Sequence, residues 1–110
     1  MVNHRPPLST ATDQADAQLW LWLAAIPAGR VTSYGRLAAL AGRRGGARWV
    51  GRQLSQLPAD SALPWHRVVN SRGVIVARCG AEQQRQRLLA EGVVVCDDRV
   101  ALRDYLWQPQ

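Results

Sequence analysis

Few side chains in this sequence can do chemistry, and their spacing narrows what that chemistry is. The two histidines, His4 and His66, lie far apart, and the two cysteines, Cys79 and Cys96, have no Cys-X-X-Cys spacing. A zinc site needs three or four such ligands at short intervals, so no metal and no cofactor is expected. Two cysteines are also too few for a disulfide framework. The abundant functional group is the guanidinium: all 14 basic residues are Arg, against 8 acidic residues, for a net charge of +6. A planar fork of N–H donors matches phosphates and base edges. A small, strongly basic domain points to an anionic polymer, DNA or RNA first. A GC-rich coding bias would also replace Lys by Arg, but the net charge stands under either explanation.

At 110 residues the chain is long enough for one domain that buries about two thirds of its unfolded surface. The longest apolar run, Leu19 to Ala28, is broken by Pro27 and is too short to span a bilayer. Asp13 and Asp16 stand where a signal peptide would be apolar. A soluble, cytoplasmic, nucleoid-associated protein without membrane contact is the expectation. Residues 1–11, with Pro6 and Pro7 and no apolar period, read as a flexible tail ahead of a single domain at 12–110. Thr12 can cap a helix running to about Ala25, whose stripe is Leu19, Trp22, Leu23 and Ile26. Pro27-Ala28-Gly29 ends it.

Ser33 is placed to cap a helix from Tyr34 to Ala41, with Leu37, Leu40 and Ala41 inward and Gly42 as its stop. Arg43-Arg44-Gly45-Gly46 makes a turn, and a second helix runs from Ala47 to about Leu57, where Pro58 stops it. Two short helices with a Gly-containing turn have the spacing of a helix-turn-helix. On the second helix Trp49, Val50 and Leu54 point to the core. Ala47 and Gly51, flanked by Arg48, Arg52 and Ser55, form the outer face. Small residues there let the backbone approach a groove while the Arg side chains reach beyond it. In the plainer reading, Gly51 is a helix-packing contact and the Arg residues are a solvated face.

Pro58 to Leu63 reads as a linker. Val68-Val69 and Val74-Ile75-Val76 flank Asn70-Ser71-Arg72-Gly73, the pattern of a small hairpin. Glu82 to Glu91 reads as a helix with Leu88 and Leu89 inward. Val93-Val94-Val95 and Val100-Ala101-Leu102 around Asp97-Asp98 suggest a second hairpin, after which Tyr105, Leu106 and Trp107 pack the C-terminus. The fold class is mainly α with small β hairpins, a winged-helix-like domain containing a helix-turn-helix.

The most specific string is Pro64-Trp65-His66-Arg67-Val68. It resembles the Pro-Cys-His-Arg-Val signature of the O6-alkylguanine-DNA alkyltransferases, with Trp where those enzymes carry the nucleophilic Cys, the hallmark of the alkyltransferase-like proteins. The resemblance extends in register over roughly residues 15 to 107. It takes in Thr32-Ser33-Tyr34-Gly35, Ala47-Arg48-Trp49-Val50-Gly51, Leu88-Leu89, Glu91-Gly92-Val93 and Tyr105-Leu106-Trp107.

The resemblance implies minor-groove binding of duplex DNA through Tyr34, Ala47, Arg48, Gly51, Arg52 and Ser55, with a modified guanine flipped into a pocket. Arg48 matches the finger that fills the vacated stack, and Tyr34 the residue that presses on the 3′ phosphate. Tyr34, Trp65, Arg78 and Val68 would line the lesion pocket. His66 and Glu91 match the relay that deprotonates the thiol, and should persist here as a buried hydrogen-bonded pair without catalytic duty.

An indole nitrogen is a donor only, so Trp65 cannot accept an alkyl group but can offer a flat wall to a flipped base. The implied function is non-enzymatic recognition of O6-alkylguanine in duplex DNA by a monomer. Transfer of the lesion to nucleotide excision repair would follow, through a UvrA-like protein if the source is bacterial. Leu57-Pro58 departs from the enzymes' Asn-Pro pair and leaves the hinge bonding open. Two rivals remain at this point: an alkyltransferase with Cys79 as relocated nucleophile, and a sequence-specific helix-turn-helix regulator. Cys96, beside two Asp, is expected to be inert.

Overall fold

From Leu8 to Ile26 the chain contains neither Gly nor Pro, so nothing interrupts a helix once begun. In the computed structural model, which describes residues 7–58, 60–76 and 80–109, helix α1 accordingly spans Pro7–Ala25. It starts before Thr12: Pro7 suits a first helical position, where its missing N–H costs nothing. Residues 7–11, expected in the tail, are therefore helical, while residues 1–6 lie outside the described set. Leu19, Leu23 and Ile26 are buried as the stripe predicts, and Trp22 is half-buried against Trp107, ring centroids 6.1 Å apart.

After the Pro27-Ala28-Gly29 break, Thr32–Ser33 forms β1 and leads directly into α2, Tyr34–Leu40. The Ser33 hydroxyl accepts from the Arg36 backbone N–H at 3.1 Å, the cap expected from its position. α2 buries Leu37 and Ala38, the chain turns, and α3 follows at Ala47–Ser55 with Trp49 and Val50 buried. The Arg43 guanidinium lies 4.5 Å from the Trp49 ring centroid, so one arginine of the turn braces the second helix.

The strand pairing differs from the expected first hairpin. A 3-10 turn, Trp65–Arg67, runs into β2, Val68–Val69, which pairs in parallel with β1: Thr32 with Val68 and Ser33 with Val69. Asn70 to Val74 does form a tight turn, held by the Asn70 carboxamide accepting from the N–H of Arg72 and of Val74. The chain beyond it, however, bridges from Val74 to Arg99 instead of returning along β2. Gly73 allows that approach: its φ is +82°, and a Cβ there would collide with the Val100 carbonyl. On the far side of β1, Val31 donates to Tyr105 O and accepts from Trp107 N, so the C-terminus extends the pairing.

Helix α4 covers Ala81–Ala90. Successive helical residues stand about 100° apart, so Leu88 and Leu89 cannot share one core. Leu88 is fully buried and Leu89 is exposed, correcting the expectation for the latter. The inward position one turn earlier belongs to Gln84, buried, whose amide donates to the carbonyls of His66 and Val68. The second hairpin is present as β3, Val95–Cys96, and β4, Arg99–Val100, turned by Asp97 and Asp98 at φ of +54° and +59°. Leu102–Tyr105, expected to continue a strand and then pack, forms a short helix, α5.

Alternation along β2 divides the core. Val68 faces a cluster of α1, α2 and α3 residues, and Val69 faces a second cluster with Val31, Ile75, Leu88, Val93 and Val100. Mainly helical architecture with short strands, containing a helix-turn-helix, is the observed fold class. Among the described residues no helix is long and apolar enough to cross a membrane.

Candidate nucleic-acid interface and pocket

Positions 47, 48, 51, 52 and 55 share one helical face, and α3 turns that face outward because Trp49 and Val50 claim the opposite one. Arg48, Arg52 and Ser55 are exposed, and Ala47 and Gly51 are partly so. A Cβ built on Gly51 would meet nothing within 4 Å. Gly51 is therefore no helix-packing contact: its missing side chain leaves bare backbone facing open space between two guanidinium-bearing residues. Arg36, Arg43 and Arg44 are also exposed on α2 and the turn. Tyr34, at the start of α2, packs partly buried against the helical cluster, and burial raises its phenol above the usual pKa of 10, so it is a protonated donor at neutral pH.

A second group of residues gathers around the 3-10 turn. Glu91 sits just past α4 and accepts from four directions. His66 Nε2 donates at 2.8 Å, Arg67 donates through Nε and Nη2 at 3.0 and 2.6 Å, and the Gly29 N–H donates at 3.1 Å. The remaining Arg67 nitrogen, Nη1, donates to Ile26 O at 2.7 Å. One guanidinium thus ties the end of α1, the signature turn and the end of α4 together. Burial raises the Glu91 carboxyl, but hydrogen bonds from Arg67 and His66 outweigh it and hold the pKa at about 2.

Burial lowers the His66 pKa from 6.5, and Arg67 and Arg87 add to that, while Glu91 opposes it without overcoming it. His66 is thus neutral at pH 7. Because its Nε2 carries the donated proton, its buried Nδ1 holds a lone pair, with no hydrogen-bond partner among the described residues. His66 and Glu91 lie in hydrogen-bond contact at 2.8 Å, the imidazole buried and the carboxylate partly exposed.

Trp65 is half-buried. It stands edge-on to His66 with centroids 6.2 Å apart, and the tip of its ring lies 3.1 Å from where a Gly80 Cβ would be. The Arg87 guanidinium carbon is 5.5 Å from the indole centroid. Val68, expected on the pocket lining, is instead buried, 1% exposed, within the helical cluster. Arg78 and Cys79 lie outside the described residues. Cys96 is exposed on β3 as a free thiol. Among the described residues no three His, Cys, Asp or Glu side chains come together as a metal site would require.

Sequence reasoning assigned no role to Arg67, Gln84, Gly80 or Arg87. The signal for two of them was helical spacing: 84, 87, 88 and 91 fall on one face, so a helix ending at the Glu91 site also delivers Gln84 and Arg87 to it.

A guanidinium-rich helix-turn-helix joined through paired main chain to a Trp-His-Arg turn defines a DNA-binding class of protein. Comparison with known proteins agrees. The family model for the "6-O-methylguanine DNA methyltransferase, DNA binding domain" matches residues 14–93, and the chain belongs to that family. It is 44% identical over 99 residues to the DNA base-flipping protein of Vibrio parahaemolyticus, covering 88% of this chain and 99% of that protein. It is 38% identical over 92 residues to alkyltransferase-like protein 1 of Schizosaccharomyces pombe, covering 76% and 85% respectively.

Among solved structures, S. pombe Atl1 in complex with damaged DNA containing O6-carboxymethylguanine superposes with a TM-score of 0.82 at 34% identity, over 88% of this chain and 97% of that one. The Mycobacterium tuberculosis O6-methylguanine methyltransferase matches at 0.60 and 28% identity over 80% of this chain, but only 50% of the enzyme is covered.

Proposed function

We propose that this protein recognises O6-alkylguanine in duplex DNA without repairing it. The observation that carries the reading is Trp65. Alkyl transfer requires an electron pair aligned with the O6-alkyl carbon, and an indole N–H has none to offer. The neighbouring His66–Glu91 pair keeps its hydrogen bond at 2.8 Å, but the residue that a relay would deprotonate is an aromatic wall. Such a site holds a flipped base by stacking, worth about 1–3 kcal/mol.

The outer face of α3 enters the minor groove, with Gly51 and Ala47 admitting the backbone closely and Arg48 filling the gap left by the extruded base. Arg52 and Ser55 contact the backbone of the duplex, and Tyr34 bears on the phosphate beside the lesion. Arg78 contributes a cation to the lesion pocket. The relatives named a DNA base-flipping protein and an alkyltransferase-like protein, and the Atl1 complex with damaged DNA, support damage recognition by base flipping. The protein then presents the distorted site to nucleotide excision repair, through a UvrA-like partner, and shields the adduct from alkyltransferases.

The test is a binding titration on matched duplexes with O6-methylguanine or guanine, combined with intact-protein mass afterwards. Tighter binding to the lesion duplex with unchanged mass is expected. Equal affinity for both duplexes, or a mass gain of one methyl group, overturns the reading; the latter would make the protein an alkyltransferase with its acceptor elsewhere, Cys79 first.

A further inference from the structure

The charge of this chain is unevenly placed. From Ala17 to Ala59 there are six Arg and no acidic residue, while elsewhere eight Arg meet eight Asp and Glu. The whole net charge of +6 therefore belongs to the segment that carries the helix-turn-helix. Within that segment Arg43 is set apart by how firmly it is held. Its N–H donates to Ala38 O and its carbonyl accepts from Gly46 N, both at 2.8 Å, so its backbone is fixed on either side. Its guanidinium lies 4.5 Å from the Trp49 ring centroid, yet Arg43 remains exposed. Stacking occupies a face of the guanidinium and leaves the N–H donors in its plane free to point elsewhere. The ion pairs among the described residues, His66–Glu91, Arg67–Glu91, Arg85–Glu82 and Arg85–Asp98, all lie away from it.

We infer that Arg43 is a preset phosphate clamp, gripping the sugar–phosphate backbone of the duplex beside the groove that α3 enters. The inference rests on the outer face of α3 meeting DNA, as proposed above. Positions 49 and 52 stand about 60° apart around a helix, so Trp49 borders the face that carries Arg48 and Arg52. A guanidinium laid on that indole stands at the rim of the same face. A free arginine gives up rotamer freedom when it grips a phosphate, and one already stacked has given up much of it beforehand. The ring does not cancel the cation, and the planar fork matches two phosphate oxygens at once. Phosphates are the same beside a lesion and beside a normal base, so this contact adds affinity and register without lesion preference. The stack thus braces α3 and aims Arg43.

The measurement is the affinity of the full chain for matched guanine and O6-methylguanine duplexes, between about 50 and 200 mM salt. Each phosphate neutralised steepens the log–log salt slope by about 0.9. Arg43→Gln should flatten that slope by about 0.9 and weaken binding about tenfold on both duplexes, with their affinity ratio unchanged. Arg43→Lys should keep the slope, because the charge remains, but bind more weakly than wild type, because an ammonium offers no planar fork. Arg103→Gln removes one exposed charge from the balanced part of the chain and should leave the slope as in wild type. An Arg43→Gln slope and affinity equal to those of wild type overturn the inference, even if the variant melts lower, since Arg43 would then only brace Trp49. Arg103→Gln flattening the slope equally also overturns it, as total charge would then explain the effect. So does Arg43→Lys binding as tightly as wild type, a result that stands whether or not the Gln variant folds. Lesion recognition is read separately: a wild-type ratio of one between the two duplexes sinks the proposed function, while the slopes on guanine DNA still decide the role of Arg43.

Discussion

Glu91 offers the most quantitative test of the frame around the pocket. Its carboxylate is 15% exposed and takes hydrogen bonds from His66, Arg67 and Gly29, which hold its pKa at about 2 against a usual 4.5. A depressed carboxylate stabilises the fold above its unfolded value, and that contribution fades as pH falls from 4.5 towards 2. The difference corresponds to about 3 kcal/mol. Glu91→Gln removes the charge, keeps the shape and leaves the Arg67 guanidinium, 17% exposed, without its counter-ion. At about 2.1 cal/mol/K per residue, unfolding 110 residues carries about 0.23 kcal/mol/K, so the variant should melt about 13 °C below wild type at pH 7.

Thermal unfolding followed by far-UV circular dichroism from pH 7 to pH 2 reads both the gap and its decay. His66 acts in the same direction in wild type: its lowered pKa, chiefly from burial, means that acid below pH 6.5 favours the unfolded chain. A variant melting within about 2 °C of wild type at pH 7 would refute this account. So would a gap that stays constant down to pH 2.

Other expectations concern the DNA face and the pocket. Arg48→Ala should lose lesion preference by roughly tenfold or more in a fluorescence titration, because the gap left by an extruded base costs a few kcal/mol when unfilled, while its melting temperature stays near that of wild type, since Arg48 is exposed. Gly51→Leu should fold, and even gain up to about 1 kcal/mol from helix propensity, because open space surrounds that position; its duplex affinity should collapse, and retained affinity would show that α3 does not enter a groove. Gly80→Ala should disturb the pocket, since the added methyl meets the Trp65 ring at 3.1 Å; an unchanged indole fluorescence spectrum and lesion affinity would count against that contact. Trp65→Cys should not by itself restore efficient methyl transfer, which mass spectrometry after incubation with O6-methylguanine DNA would detect.

The helix-turn-helix was readable because its determinants are local: Ser33 caps, Gly42 stops, and Trp49 and Val50 dictate which face of α3 looks outward. The His66–Glu91 contact was readable only through the resemblance, since the two residues come from different elements. Strands of two residues leave no periodicity to read, and the turn signal at 70–73 drew Val68-Val69 towards a hairpin although their partner is Thr32-Ser33, far back in the chain. Hydrophobic patterning also misplaced Leu89 and overlooked Gln84, whose buried amide satisfies two carbonyls that apolar side chains could not. The early start of α1 was missed because a tail without an apolar stripe still propagates a helix when no breaker intervenes.

The parallel ladder between β1 and β2 has an evolutionary consequence. Ser33 belongs to that ladder and to the cap of α2, and the Val68 N–H closes the turn by bonding to Trp65 O. The separation between the helix-turn-helix and position 65 is thereby set by peptide groups, which every residue type supplies alike. A lineage could exchange the moiety hanging from position 65 by a change of codon and leave the chassis unaltered. Chemistry on such a scaffold is detachable, and a tool that mends and a flag that marks can share one handle.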